Sequence, residues 1–199
     1  MKKKVLFSLL MALSVFFLAS CGGTNNEQAA TNTEQEAPAG EAKTVKIAVS
    51  PEPHAAIVEQ VKEDLAAEGI TLEIVEFDDY VIPNTATSDK EVDLNFFQHE
   101  PYFDNFVKEN NITNLVKIGA VHLEPIGVYS AKYKSLSEVQ DGDEVIIPND
   151  ATNGGRALLL LEKEGLIKLD DNTNLAATEA NIVENNKNLK FTAMEAASI

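Results

Sequence analysis

Strand-like and helix-like spacings of hydrophobic residues alternate along the first part of this chain. Three short runs have the β-branched and apolar composition that is typical of strands, and they cover residues 44–50, 70–77 and 92–97. Between the first two runs, Ile57, Val61 and Leu65 recur at four-residue intervals. This spacing predicts an amphipathic helix over 51–69 that ends at Gly69. A second helix is predicted over 100–111, with Pro101 near its start.

The second part of the chain repeats the alternation after a long extended stretch. Residues 115–130 are hydrophobic but are interrupted by Glu-Pro and by a glycine, which fits either a hinge between two lobes or an ordinary edge strand. The later elements are predicted as a buried strand over 143–149, a helix over 155–166 and a strand over 189–194. Strands that alternate with helices predict an α/β fold with a mostly parallel sheet. We expect a first lobe over 44–124 and a second over 125–199.

The N-terminal residues have the pattern of an exported lipoprotein. Three lysines, a short apolar run and small residues in "MKKKVLFSLLMALSVFFLAS" predict a signal peptide over 1–20. The ending "LASC" resembles a lipobox, which implies that Cys21, the only cysteine of the chain, carries lipid and anchors the protein to the cell membrane. Residues 21–43 contain no Val, Ile, Leu or aromatic residue and predict a flexible tether.

Charge and motif content exclude several classes of function. The formal net charge of −16 argues against nucleic-acid binding, which needs a basic surface. The three histidines are spread along the sequence without ligand spacing, so no metal site is expected. A nucleophile motif and a plausible acid–base carboxylate pair are also missing from the sequence, and we expect no enzymatic activity and no cofactor.

Arg156 is the only arginine, and it lies where a helix is predicted to begin. A cation is unfavourable at that end because the helix dipole is positive there. With Thr152 or Asn153 as the N-cap, the guanidinium would lie in the first turn beside free backbone N–H groups, and together they would bind a carboxylate or phosphate. The alternative is a surface arginine that pairs with Asp150.

Aromatic residues cluster around the third predicted strand. Phe103 and Phe106 have helical spacing and fit core positions, whereas Phe97, His99 and Tyr102 bracket a strand-to-helix junction, where side chains line clefts. An anion site together with an aromatic pocket predicts a small amphiphilic acid as the ligand, such as an amino acid. A thioether tail would suit the aromatic rings well.

Four ordered motifs carry a family resemblance: "FDDYVIPN", "NFFQHEPYF", "HLEPIGVYS" and "IPNDATNGGRALLLLEKEGLIKL". From about residue 45 to its last residue, the chain resembles the methionine-binding lipoproteins of ABC importers, the NlpA-type family. The resemblance implies a two-lobed, periplasmic-binding-protein-like fold that clamps L-methionine and delivers it to a membrane permease driven by an ATPase. It implies the ligand-binding residues Tyr80, Phe97, His99, Tyr102, Asn153 and Arg156.

The chain departs from that family in two ways. Family members continue well beyond a position like Ile199, so the second lobe is expected to be incomplete. Methionine is expected to bind far more weakly than in a full-length relative, or not at all. The two glycines before Arg156 are expected to loosen the carboxylate site. The alternative function is that of a surface lipoprotein which acts through protein contacts, as an adhesin does.

Overall fold

The computed structural model describes residues 43–199, which contain seven strands and five α-helices. The strands are Lys43–Val49 (β1), Ile70–Glu76 (β2), Leu94–Phe96 (β3), Glu144–Pro148 (β4), Lys168–Leu169 (β5), Ile182–Glu184 (β6) and Lys190–Met194 (β7). The α-helices are Ala56–Glu59 (α1), Lys62–Ala67 (α2), Ile82–Ser88 (α3), Glu100–Glu109 (α4) and Ala151–Lys163 (α5). The predicted signal peptide, the lipid site at Cys21 and residues 21–42 of the tether lie outside the described residues, and the last tether residue, Lys43, begins β1.

The first sheet is parallel, with strand order β2–β1–β3. Successive side chains of a strand point to opposite faces. Accordingly, Ile47 and Val49 of β1 pack with Val58 and Leu72 on one face, and Ala48 packs on the other face in a separate apolar cluster. Both faces are therefore covered, as is typical of a parallel sheet.

The second sheet pairs β4 with β7, also in parallel, and β5 pairs with β6 in a short antiparallel ladder. Leu158 and Leu161 of α5 are buried against Ile147 of β4 and form the centre of a second core. Among residues 43–199, no strand pair joins β1, β2 or β3 to the later strands. The alternation of strands and helices with parallel pairing agrees with the predicted α/β class.

The prediction of one continuous helix over 51–69 is wrong. A single π-helical turn spans Pro51–Ala55, Glu52 within it has extended backbone angles, and α1 and α2 follow as separate short helices. The interruption changes which side chains face the sheet. Val58 is buried, whereas Val61, expected on the apolar face, is 46% exposed.

The short helix α3 is absent from the sequence-based prediction. Its residues, "IPNTATS", are mostly poor helix formers, which hides the element from a reading of propensity. The carboxylate of Asp79 accepts hydrogen bonds from the backbone N–H groups of Val81 and Ile82, at 2.8 and 2.7 Å. These bonds fix the turn from which the helix starts.

The strand predicted over 143–149 is less buried than expected. Ile147 of β4 faces the core, but Ile146 is 47% exposed. The two-stranded sheet presents one face of β4 to solvent, so its side chains alternate between core and surface.

Residues 115–130, called the linker below, form neither helix nor strand. In the described part of the chain no strand pairs with these residues, so the alternative that they form an edge strand is wrong. Val116, Ile118, Val121 and Leu123 are all largely exposed. None of the helices within residues 43–199 is long and apolar enough to cross a membrane.

Candidate functional site

Four aromatic rings form a buried cluster where β3 leads into α4. Phe97, Tyr102 and Phe106 are buried, and the half-buried Tyr80 packs against them. The ring centroids of Tyr80 and Phe97 lie 5.8 Å apart, and those of Phe97 and Tyr102 lie 6.0 Å apart. This set, called the aromatic cluster below, presents an apolar and polarizable surface.

The hydroxyl of Tyr102 connects the cluster to the chain segment before α3. It donates a hydrogen bond of 2.8 Å to the backbone carbonyl of Tyr80. Burial raises the pKa of the Tyr102 phenol well above its ordinary value, and the nearby carboxylates of Asp150 and Glu195 raise it further. The phenol therefore keeps its proton and remains a donor at neutral pH.

A network of amide side chains holds β3 against α3. The two amides of Asn84 and Gln98 exchange hydrogen bonds of 2.8 and 2.7 Å, and Asn84 is fully buried. Asn95 joins the network through bonds to both. Because Gln98 lies between Phe97 and His99, the network fixes the backbone that carries both site candidates.

His99 is the N-cap of α4, and it reaches the second half of the chain. Its Nδ1 accepts the backbone N–H of Tyr102 at 2.9 Å, which leaves the ring proton on Nε2. That Nε2–H lies 2.8 Å from the side-chain oxygen Oδ1 of Asn153, which accepts the hydrogen bond. His99 thus joins the start of α4 to the start of α5.

The start of α5 differs from the prediction, because the helix begins at Ala151 and Asp150 is its N-cap. The expectation that Thr152 or Asn153 is the cap is wrong. Asp150 accepts the backbone N–H of Asn153 at 2.9 Å, and its second oxygen accepts the Asn153 amide at 3.0 Å. Arg156 therefore lies in the second turn, beyond the free N–H groups of the first.

The guanidinium of Arg156 lies at the meeting point of α5 and the linker. It donates one hydrogen bond to Oδ1 of Asn153 at 3.0 Å and another to the backbone carbonyl of Glu124 at 2.9 Å. The alternative pairing with Asp150 is absent from the hydrogen bonds and ion pairs of residues 43–199. These two bonds account for two of the five N–H donors of a guanidinium.

A continuous series of contacts connects the six residues that the sequence predicts for the site. Tyr80, Phe97 and Tyr102 touch through their rings, and the His99 ring lies 6.3 Å from that of Tyr102. Asn153 then connects His99 to Arg156. The sequence analysis overlooked the capping role of Asp150, although an Asp directly before a helix is a well-known N-cap signal.

A second group of polar residues lies beside this site. His54 and Glu124 approach to 3.4 Å, and His122 donates to the same carboxylate oxygen at 2.8 Å. The histidines are spread apart in the sequence, but the fold brings the rings of His54 and His122 to a centroid distance of 5.3 Å. Burial lowers the pKa of His54, although Glu124 acts in the opposite direction.

The architecture and site define the class of protein. A lipoprotein of solved structure from Ruminococcus gnavus superposes with a TM-score of 0.75 at 47% identity, covering 79% of this chain and 65% of that one. The substrate-binding protein of a methionine transporter from Streptococcus pneumoniae superposes with a TM-score of 0.71 at 43% identity, covering 78% of this chain and 62% of that one. The predicted α/β fold of a substrate-binding lipoprotein is confirmed.

Sequence comparison identifies the family. The profile of the NlpA lipoprotein family matches residues 45–199, and the chain belongs to that family. The D-methionine-binding lipoprotein MetQ of Escherichia coli is 50% identical over 131 residues, which are 66% of this chain and 48% of that protein. The chain thus spans less than two thirds of the length of these relatives. The comparisons do not favour the adhesin-like alternative.

Proposed function

We propose that this chain is the substrate-binding component of an ABC importer for an amino acid, with L-methionine as the ligand. The observation that carries the proposal is the contact chain that links Arg156 through Asn153 and His99 to the aromatic cluster. It places a permanent cation and a set of aromatic rings side by side. An amino acid with an apolar side chain matches both features, because its carboxylate can pair with the cation and its side chain can pack on the rings.

The ligand orientation follows from the charges around the site. Arg156 has further N–H donors available for a ligand carboxylate, and a guanidinium binds that group in a bidentate manner. The carboxylates of Glu124, Asp150 and Glu195 are close enough to raise the pKa of Tyr80 beyond the effect of burial. These negative groups favour an orientation in which the ammonium group of the ligand lies near them. The thioether would lie on the rings of Phe97 and Tyr102, where sulfur packs favourably.

The names of the relatives support the same ligand and the same partners. They describe methionine-binding lipoproteins and the substrate-binding protein of a methionine transporter. In this proposal the lobes are residues 44–124 and 125–199, and they close over the ligand by a hinge motion. Lipid on Cys21 anchors the protein to the membrane with its lobes facing outward, and a permease with its ATPase receives the ligand. The chain itself has no catalytic role.

NMR titration tests the proposal, because it detects weak as well as tight binding. In the chain of residues 1–199 in detergent, L-methionine is expected to shift the aromatic resonances of Phe97 and Tyr102. Arg156→Ala is expected to weaken binding by about 10- to 100-fold, because the ligand carboxylate loses a charged hydrogen-bond partner. Arg156→Lys keeps the charge but loses the bidentate geometry, and we expect an intermediate affinity.

Lys163→Ala provides the matched control, since Lys163 is an exposed cation in the last turn of the same helix. This variant should bind methionine as the unmodified chain does. Equal affinities of the unmodified chain and Arg156→Ala would refute the role of Arg156. An absence of shifts with every amino acid tested would refute the proposed function.

A further inference from the structure

Three potential metal ligands converge between the first sheet and the linker. One nitrogen each from His54 and His122 and one carboxylate oxygen of Glu124 all lie within 4.8 Å of one another. His54 follows β1, whereas His122 and Glu124 belong to the linker. The proposed methionine site uses neither histidine, although the Glu124 carboxylate adds to the negative charge near that site and its backbone carbonyl accepts a hydrogen bond from Arg156.

The spacing between His54 and the Glu124 carboxylate fits a small coordination sphere. Metal–ligand bonds of about 2.1 Å in a tetrahedral site place neighbouring ligand atoms about 3.4 Å apart. The distance of 3.4 Å between Nε2 of His54 and Oε1 of Glu124 has this value. The distance of 2.8 Å between Nε2 of His122 and the same oxygen is a hydrogen bond, which would lengthen as a metal displaces the proton from Nε2.

The surroundings hold both imidazole rings in place. Nδ1 of His54 lies 2.6 Å from the hydroxyl of the buried Ser50, and this hydrogen bond orients the ring so that Nε2 faces Glu124. Metal-bound histidines almost always have such a partner on the other ring nitrogen. Phe96 packs edge-on against both rings, with centroid distances of 4.8 Å to His54 and 5.5 Å to His122.

We propose that His54, His122 and Glu124 form a binding site for a divalent transition metal ion, with Zn²⁺ as the best match. Two imidazoles and one carboxylate are ligands that suit zinc and related ions, whereas Ca²⁺ and Mg²⁺ prefer oxygen alone. Three protein ligands leave a fourth position for water. Metal binding would join the linker to the segment after β1.

The site has a structural consequence for its neighbour Arg156. The backbone carbonyl of Glu124 accepts a hydrogen bond from this arginine, so a metal held by the Glu124 side chain would fix the position of that carbonyl. Elsewhere in the linker, Lys117 pairs with the carboxylates of Glu100 and Asp104 on α4, whereas several apolar side chains are exposed. The metal would therefore restrict the motion of the segment between the two sheets.

Calorimetric titration of Zn²⁺ into the chain of residues 1–199 in detergent tests the proposal. Cys21→Ser is introduced into every version, because any molecule without lipid on Cys21 would present the only thiol of the chain as a competing metal ligand. We expect one Zn²⁺ per chain. His122→Gln and Glu124→Gln should each weaken binding by about tenfold or more. Glu179→Gln removes an exposed carboxylate from a short helical turn elsewhere and should leave the affinity unchanged.

Titration with Co²⁺ provides a second measurement. A four-coordinate ion with nitrogen and oxygen ligands is expected to give intense visible absorption bands that His122→Gln abolishes. Circular dichroism checks that each variant is folded. The proposal is overturned if the unmodified chain binds no Zn²⁺, or if both cluster variants bind it as tightly as the control. Because methionine is absent from these titrations, neither result bears on amino-acid binding.

Discussion

Asn153 is the residue at which contacts from both halves of the chain converge. Its side-chain oxygen accepts hydrogen bonds from His99 and Arg156, and its amide nitrogen donates to Asp150. We predict that Asn153→Ala lowers the free energy of unfolding by about 1–3 kcal/mol, because it leaves half-buried donors without their acceptor. Urea denaturation measures this change.

The matched control for this prediction is Asn172→Ala, since Asn172 is exposed in the turn after β5. Surface substitutions of this kind usually change stability by less than about 0.5 kcal/mol. If the two alanine variants unfold at the same urea concentration, the contact between His99, Asn153 and Arg156 does not stabilise the protein.

Tyr102 leads to a pH-dependent prediction. Its phenol pKa in the folded protein is raised above the ordinary value of 10.0, mainly by burial. The stabilising contribution of the protonated phenol is therefore complete below pH 10 and is lost as the pH rises through the folded pKa. Tyr102→Phe should cost about 0.5–1.5 kcal/mol at neutral pH, because the hydrogen bond to the Tyr80 carbonyl is removed.

The difference in stability between the unmodified chain and Tyr102→Phe should then narrow above pH 10. The variant lacks the phenol that ionises in the unfolded chain. Denaturation at neutral and alkaline pH measures this change. Tyr129→Phe is the control, because Tyr129 is 90% exposed and its substitution should leave the curve unaltered. A constant difference across the alkaline range would contradict the raised pKa.

Arg156 shows how far sequence reasoning reaches at a single residue. Its rarity and its position near a helix start singled it out, but the expected first-turn location is wrong because Asp150 caps the helix earlier. The hydrogen bond from Arg156 to the Glu124 carbonyl, and that between His99 and Asn153, join residues that lie far apart in the sequence. Local sequence patterns do not show which distant residues come into contact. For the same reason, the sequence does not predict that His54 and His122 lie close together.

At the scale of elements, the strands were the most predictable. β1, β2 and β7 lie within a residue or two of their predicted ranges, because their β-branched alternation is local. The helix α3 was missed because its formation depends on the Asp79 turn and not on propensity. The predicted helix over 51–69 is divided because Pro51–Ala55 forms a π-helical turn and a turn at residues 60–61 separates α1 from α2.

The paired glycines of α5 were expected to loosen the helix start, but the structure gives them a packing role. A Cβ on Gly155 would lie 2.2 Å from the backbone carbonyl oxygen of Leu175. We predict that Gly155→Ala destabilises the protein by about 1–3 kcal/mol or more, because backbone must move to relieve the clash. This change has the opposite sign to the gain of about 1 kcal/mol expected from helix propensity.

Thermal or urea denaturation measures the effect, and Gly119→Ala is the matched control. A Cβ on Gly119 would meet no atom within 4 Å, so its substitution should be close to neutral. Stabilisation by Gly155→Ala would show that α5 and the segment near Leu175 separate easily, and the assigned packing would be wrong.

At the scale of the whole molecule, the linker is the least buried hydrophobic segment within residues 43–199. Leu123 is 95% exposed, and Val116 and Ile118 are also largely exposed. Contiguous exposed apolar residues promote association between molecules. The net charge of −16 opposes such association at low ionic strength, because like-charged molecules repel each other. Added salt screens this repulsion without weakening apolar contacts.

We therefore predict that the protein self-associates as the salt concentration rises, and that Leu123→Glu reduces this association. Because Leu123 is exposed, the substitution should change the free energy of unfolding by less than about 0.5 kcal/mol. Sedimentation velocity at low and high salt measures the effect. Leu175→Glu adds the same charge at a position that is 56% exposed outside the linker, so it separates the effect of charge from that of location. If both variants reduce association equally, net charge controls it, and the apolar surface of the linker is not the contact.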